Sequence, residues 1–546
     1  MISVAGLSFL HPGAATGFDD VSFVVPKGVT AALIGDNGVG KTTLLRILAG
    51  ELDADAGAAS VTGSLRYMPQ EVGFGGDAAA SVRRLLGAFA PAPLDDLSRR
   101  IAAAEDALSQ GDDAAGMELG EVLSLWGDLG GYELEAMWDA ACRRIVGVGI
   151  DEVGDRAART LSGGERKRLV LEVLLGSSID VLLLDEPDNY LDIPAKRRLE
   201  QQLRETSQTV LIISHDRELL AAAPQRIVTL ESRGAWVHHG TFATYDEAFE
   251  KRQASLGDEL QRWTDEEQRL RDLVRILKER ARYSPIFAPK AKAAESRWKR
   301  FADAGPPPPP SAEQQVGVRL RGRASGKRML TLSGLGVDGL VWPFDDEIHH
   351  GERVGLIGPN GTGKTHLVRA LAGDPSPLHE GEVREGARVQ AGYFAQVTGN
   401  AELAGRAPLD IVSEVTGNLQ RSMAVLGRYG LAGNARQDYE TLSGGQQARL
   451  EILLLELAGV NLLLLDEPTD NLDLVSCRAL EDALEGFQGA VVAVSHDRAF
   501  LRTFDRFLHV GEDGHVHALP DPDSAIEALL SGLDGLGRGQ VKQLSA

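Results

Sequence analysis

Two stretches of the chain, GDNGVGKTT at 35–43 and GPNGTGKTH at 358–366, have the residue types and spacing needed to wrap a polyphosphate. The glycines at their first and sixth positions, Gly35 and Gly40 or Gly358 and Gly363, let backbone N–H groups close on phosphate oxygens, with Asn37, Gly38, Asn360 and Gly361 inside the loops. Lys41 and Lys364 can reach the terminal phosphates; the Thr42 and Thr365 hydroxyls suit Mg2+, and Thr43 completes the first loop. VLLLDE at 181–186 and LLLLDE at 462–467 each end an apolar run in an acidic pair. Asp185 and Asp466 can hold the water shell of that Mg2+, while Glu186 and Glu467 can orient or deprotonate an attacking water. His215 and His496 follow the apolar runs TVLIIS and AVVAVS and suit a contact with a γ-phosphate. LSGG occurs at 161–164 and again at 442–445. It sets Ser162, Gly163 and Gly164, then Ser443, Gly444 and Gly445, at a helix start, where unpaired N–H groups and the helix dipole attract phosphate.

These groups need elements to hold them. TAALI and RVGLI precede the two loops and LLRILAG and LVRALAG follow them, a strand–loop–helix order that predicts an α/β fold built twice. Ser162 to Ser443, Asp185 to Asp466 and His215 to His496 are each 281 residues apart, whereas Lys41 to Lys364 is 323. The first copy therefore has 42 more residues between its phosphate loop and its LSGG run. SVRRLLGAF, LDDLSRRIAAAEDAL and AAGMELGEVLSLW place a helical arm there, at about 80–145. Between the copies, Leu256, Leu260, Trp263, Leu270, Val274 and Leu277, then Ala291, Ala294, Trp298 and Phe301, follow helical seam spacing on either side of Pro285 and Pro289. Two antiparallel helices with a tip at 283–289 are expected. The resulting order is a first α/β copy at 1–244, a hairpin linker at 245–328, a second α/β copy at 329–521 and a short extension at 522–546.

The chain has 546 residues, a formal net charge of −22 and two cysteines, Cys142 and Cys477. So few cysteines exclude a disulfide framework and fit a reducing, cytoplasmic setting. MISVAGLSFLHPG has no basic start ahead of an apolar core, and the apolar stretch at 452–465 is interrupted by Glu456 and Asn461, so no direct membrane insertion is expected. Overall acidity excludes non-specific coating of nucleic acid and leaves only local contact. Residues 268–300 nevertheless hold eleven Lys or Arg against three acids. Arg282, Lys290, Lys292, Arg297, Lys299 and Arg300, interleaved with Tyr283 and Phe287, are what backbone contact and stacking on structured RNA require.

The phosphate loops, LSGG, the apolar-DEP runs and SHD together resemble the ATP-binding cassette ATPases. That resemblance implies ATP with Mg2+, glutamines that also reach the metal and the attacking water (Gln70 in RYMPQ and Gln396 in GYFAQ), and sites completed by the LSGG of the opposite cassette. Two cassettes joined by a basic hairpin, with an arm in the first, resemble the F subfamily; DEPDNYLD departs from that subfamily's DEPTNHLD at Asp188 and Tyr190, and DEPTDNLD at Asp470 and Asn471. The resemblance implies binding to the ribosome through hairpin and arm beside the tRNA sites, with the hairpin directed at P-site tRNA and the peptidyl-transferase centre. It implies a role as a translation factor or in protection against antibiotics. The alternative is the ATPase subunit of a transporter that borrows separate membrane subunits.

Overall fold

The computed structural model describes residues 1–11, 17–73, 80–310, 317–320, 325–376, 378–395, 403–470, 472–533 and 541–545. The runs Thr30–Ile34, Val181–Asp185 and Thr209–Ile213 are buried along their whole length, as expected of strands covered on both faces. They lie side by side in a six-stranded sheet ordered Leu65–Met68, Val181–Asp185, Thr209–Ile213, Thr30–Ile34, Arg226–Leu230, Ala235–His238. All pairings are parallel except the last. Parallel pairing puts the ends of the strands that lead into the phosphate loop, the acidic pair and His215 on one edge, where α/β sheets bind ligands.

The second copy repeats the order with Ala391–Phe394, Leu462–Asp466, Ala490–Val494, Arg353–Ile357, Arg506–Val510 and Val516–Leu519, and adds a seventh strand, Lys542–Leu544. Each copy also has a three-stranded antiparallel sheet, centred on Ile2–Leu10 or Arg328–Val337. The described residues past 521 pack on the second cassette. Helix Pro522–Ser531 buries Ala525 and Ala528 in its core, and the last strand pairs with Val516–Leu519.

The first copy has helices Val82–Ala88, Leu94–Ser109, Ala115–Asp128 and Gly131–Ile145 where the second has Pro408–Thr416 and Leu419–Arg428. The surplus is the pair Leu94–Ser109 and Ala115–Asp128, tied to the cassette by the buried rings of Trp126 and Trp138, whose centroids are 6.2 Å apart.

The linker is a 39-residue helix, Tyr245–Tyr283, answered by the shorter Ala288–Asp303. An aromatic socket holds its base in the first cassette. Tyr245 stacks on Phe242 and Phe249, and its hydroxyl is 2.9 Å from Thr229 Oγ1. Leu270, Val274, Ala291 and Ala294 bury the seam, where alanines on the returning helix permit close approach. Glu267, the polar residue in that seam, accepts a 2.9 Å hydrogen bond from Trp298 Nε1.

Candidate functional site

Both phosphate loops need glycine for steric reasons. At Gly35 and Gly358 φ is 149°, and a Cβ would lie 2.5 Å from the Leu230 carbonyl oxygen or 2.3 Å from that of Val510. Gly40 and Gly363, with φ of 104° and 93°, turn the chain into the following helices. A Cβ at Gly38 or Gly361 would meet nothing, so these positions face open space where a phosphate can approach. Lys41 Nζ donates to the carbonyls of Gly35 (2.8 Å) and Asp36 (3.2 Å); Lys364 Nζ donates to those of Gly358 (2.9 Å) and Pro359 (2.7 Å). Burial holds both ammonium groups below their ordinary pKa. Such partly desolvated cations gain most from a nearby anion.

Glu186 and Glu467 have φ of 46° and 47°, a left-handed conformation unusual outside glycine, and the matched strain in the two copies singles out these carboxylates. Glu186 Oε2 accepts from Gln70 Nε2 at 2.6 Å and from Asn189 Nδ2 at 2.7 Å, and its main-chain oxygen accepts from Lys167 Nζ. In the second copy Glu467 Oε2 accepts the backbone N–H of His496 at 3.1 Å. Gln396, the expected partner there, lies outside the described residues. The ring Nε2 atoms of His215 and His496 stand 3.8 and 3.5 Å from their glutamates. Burial lowers the His215 pKa to about 3 and takes His496 well below its ordinary value, so both rings are neutral near pH 7.

Burial and the neighbouring charges of Asp185 and Asp188 push Glu186 up to about 7. A carboxylate accepts a proton only when ionised. In a Glu467→Gln variant, turnover should therefore rise as pH is raised through about 7. A flat profile from pH 6 to 8 in a stopped-flow phosphate assay would exclude Glu186 as the base.

Thr365 Oγ1 donates to Asp466 Oδ1 at 3.1 Å, and Thr42 likewise hydrogen-bonds Asp185. The other oxygens, Asp185 Oδ1 and Asp466 Oδ2, are buried with no hydrogen-bond partner among the described residues. Such free carboxylate oxygens beside a hydroxyl fit a hydrated divalent cation.

The two cassettes face each other across this chemistry. A cavity of about 340 Å3 is lined by Ser162, Gly164, Tyr190 and Lys196 of the first cassette and by Lys364, Thr365, Glu467 and His496 of the second. Asn360 Nδ2 donates to the Tyr190 carbonyl at 3.3 Å, bringing the second phosphate loop onto the first cassette. On the other side, Asp36 and Lys41 share their electrostatic surroundings with Asp473, and Asp36 also with Arg449. Two matched ion pairs close the interface, Arg498 with Glu200 and Arg217 with Glu481. Both LSGG serines cap their helices: Ser162 with Glu165 and Ser443 with Gln446 form capping boxes, and Ser162 and Gly164 line the cavity beside Lys364.

The ABC transporter family profile matches residues 18–189 and 343–470. A mouse protein, ATP-binding cassette sub-family F member 3, is 30% identical over 516 residues, 91% of this chain and 69% of its own length. This chain belongs to the ABC-F family. An "Antibiotic resistance protein" of Mycobacteroides abscessus is 44% identical over 547 residues, covering 95% of the ABC-F chain and 99% of that protein. Among solved structures, the archaeal ribosome recycling factor aABCE1, in complex with the stalk protein aP1, is similar at 20% identity, with a TM-score of 0.57 over 92% of this chain and 87% of that one. At that identity the likeness speaks for a shared twin-cassette fold.

In this ABC-F chain the hairpin separates the expected RNA contacts into groups. Tyr283 is 91% exposed at the tip, whereas Phe287 turns inward between Arg280 and Lys290. Ile286, absent from the expected set, is 75% exposed in its place. Arg297 approaches Glu266, and Lys278 pairs with Glu295 across the two helices. Arg280, Arg282, Lys290, Lys292, Lys299 and Arg300 have no carboxylate within ion-pair distance among the described residues. Sequence reasoning also missed Asn189 and Lys167 on Glu186. Asn189 stands three residues from the glutamate, but the turn that folds it back is not readable from spacing alone. Among the described residues no helix is long and apolar enough to cross a membrane.

Proposed function

We propose that the chain hydrolyses ATP at two sites, each completed by the LSGG of the opposite cassette, and that closure on ATP docks it on the ribosome with its hairpin directed at P-site tRNA and the peptidyl-transferase centre. The proposed assignment pairs Lys41, Glu186 and His215 with Ser443, Gly444 and Gly445, and Lys364, Glu467 and His496 with Ser162, Gly163 and Gly164. Lys and loop N–H groups bind the phosphates, Glu186 or Glu467 takes the proton of the attacking water, and the neutral histidine can donate its N–H to the γ-phosphate. Mg2+, held through Thr42 and Asp185 or Thr365 and Asp466 with Gln70 and Gln396 beside it, would neutralise charge on the phosphate oxygens.

The observation that carries the ribosomal reading is the hairpin. It is a stiff 39-residue helix in an acidic protein, ending in cations free of carboxylates around an exposed tyrosine. A motor serving separate membrane subunits has no use for such an element. The relative named for antibiotic resistance, similar over almost the whole of both chains, favours protection from ribosome-targeting drugs as the task.

The test is co-sedimentation with ribosomes in ATP. Replacing Arg282, Lys290, Lys292, Arg297, Lys299 and Arg300 by Ala should abolish sedimentation at about 0.15 M salt while ATP affinity changes less than about twofold, because each lost phosphate contact removes a unit of salt-dependent binding. Equal loss of ATP affinity would trace the effect to misfolding, and undiminished sedimentation would remove the hairpin from the interface. A strain expressing the chain should also tolerate more of at least one macrolide, lincosamide, streptogramin or pleuromutilin, and unchanged growth under all four would refute drug protection.

A further inference from the structure

The two halves of the interface are related by the 281-residue offset, so positions can be compared in pairs, and some pairs break the symmetry. Glu200 matches Glu481, Arg217 matches Arg498, and Asp216 matches Asp497. Asp188 and Lys196, however, match Thr469 and Cys477. Asp188 and Lys196 are both buried, and a buried charge needs a partner. Lys196 Nζ lies 3.0 Å from Asp216 Oδ2, and Asp188 shares its field. Burial opposes the Lys196 charge, but Asp216 and Asp188 more than restore it. The same Nζ crosses the interface and donates to the His496 carbonyl at 3.2 Å. Its counterpart, Cys477, instead turns its thiol back to Thr469 and Leu472 within its own cassette, 3.9 and 3.7 Å from their carbonyls.

The acidic residues are uneven in the same sense. Asn189 supplies an amide to Glu186, whereas the matched Asp470 adds a negative charge near Glu467 and near Lys196. The Lys364 site thus combines an additional carboxylate from its own cassette with an additional cation from the other. The Lys41 site has a different pair, Asp36 in its own loop and Arg449 from the second cassette, and Cys477 stands in the place of Lys196.

We propose that Lys196, ion-paired with Asp216, is a positioning residue acting in trans: supplied by the first cassette, it fixes the His496 segment of the second and slows nucleotide release from the Lys364 site in the closed state. This rests on the reading of both cavities as ATP sites. Lys196 touches a backbone carbonyl next to the chemistry, not the reacting atoms.

The test gives the first cassette the residues of the second. Asp188→Thr with Lys196→Cys removes acid and base together, leaving Asp216 with Arg498 at 3.8 Å, as Asp497 is left with Arg217 at 3.9 Å. Both substitutions are placed in a Glu186→Gln/Glu467→Gln chain, which stops turnover and removes any effect through titration of Glu186. Lys41→Met then silences one site, or Lys364→Met the other, and release of a fluorescent ATP analogue is followed by stopped flow. With Lys41→Met the paired substitution should speed release about tenfold, the size expected for one charge-assisted hydrogen bond, and with Lys364→Met less than about twofold. Equal acceleration at both sites, or none at either, overturns the assignment. Failure of the parent chain, before the paired substitution, to retain the analogue would instead overturn the ATP-site reading beneath it.

Discussion

A chain with Glu186→Gln and Glu467→Gln should lose ATP turnover by at least about 100-fold, the lower range for removing a positioned general base. It should keep ATP affinity within about twofold. Gln70 and Asn189 donate to Glu186 Oε2, and an amide oxygen in that place can accept the same bonds, so the geometry survives while the proton acceptor is lost. The substitution also removes a negative charge beside Asp185 or Asp466, which does nothing to weaken a polyphosphate. If closure on ATP drives docking, this variant should accumulate on ribosomes and be released poorly. Phosphate release, equilibrium binding of a fluorescent ATP analogue and sedimentation measure the three parts separately. Turnover within tenfold of the parent would show that neither glutamate is the base.

Arg498→Ala should be the most damaging single change outside the nucleotide sites. Arg498 is 0% exposed and its partner Glu200 1%, and deletion of one member of so deeply buried a pair costs about 3–5 kcal/mol because the other charge stays behind. Among the described residues Glu200 would retain Arg197 alone, at 3.7 Å and 43% exposed. The matched Arg217→Ala leaves Glu481 at 14% exposure, where water reaches the carboxylate, and should cost less than half as much. Thermal melts of the two variants should therefore differ in that order. Equal melting points would mean that the two halves of the interface bear on stability alike.

The chemistry of the site was readable because it depends on short local patterns. A glycine-rich loop after an apolar run, DE at a strand end and SHD after another strand each fix their own geometry, and the 281-residue repeat made chance an implausible source. Partners brought in by long-range packing were hidden. Lys196 looks like a solvated charge on a helix face, and only the opposing cassette reveals that it is buried against His496. Within the arm region, 80–145, Val82–Ala88 and Gly131–Ile145 are helical in sequence, and which of these helices face the cassette is likewise set by packing that spacing does not show. At the tip, composition could not distinguish Phe287, folded under Arg280 and Lys290, from the exposed Ile286.

The long linker helix, welded at its base by the Tyr245 socket, also has a mechanical meaning. At 1.5 Å per residue its 39 residues span roughly 58 Å, and no proline or glycine interrupts it between Asp258 and Tyr283. Each degree through which the first cassette turns about that base sweeps Tyr283 through about 1 Å. A rotation of about 10°, modest for the closing of two domains, carries the tip by about the diameter of a helix. On the proposed ATP reading, chemistry in a cavity of about 340 Å3 would be geared up to displacements on the scale of a nucleotide, delivered far from the phosphates.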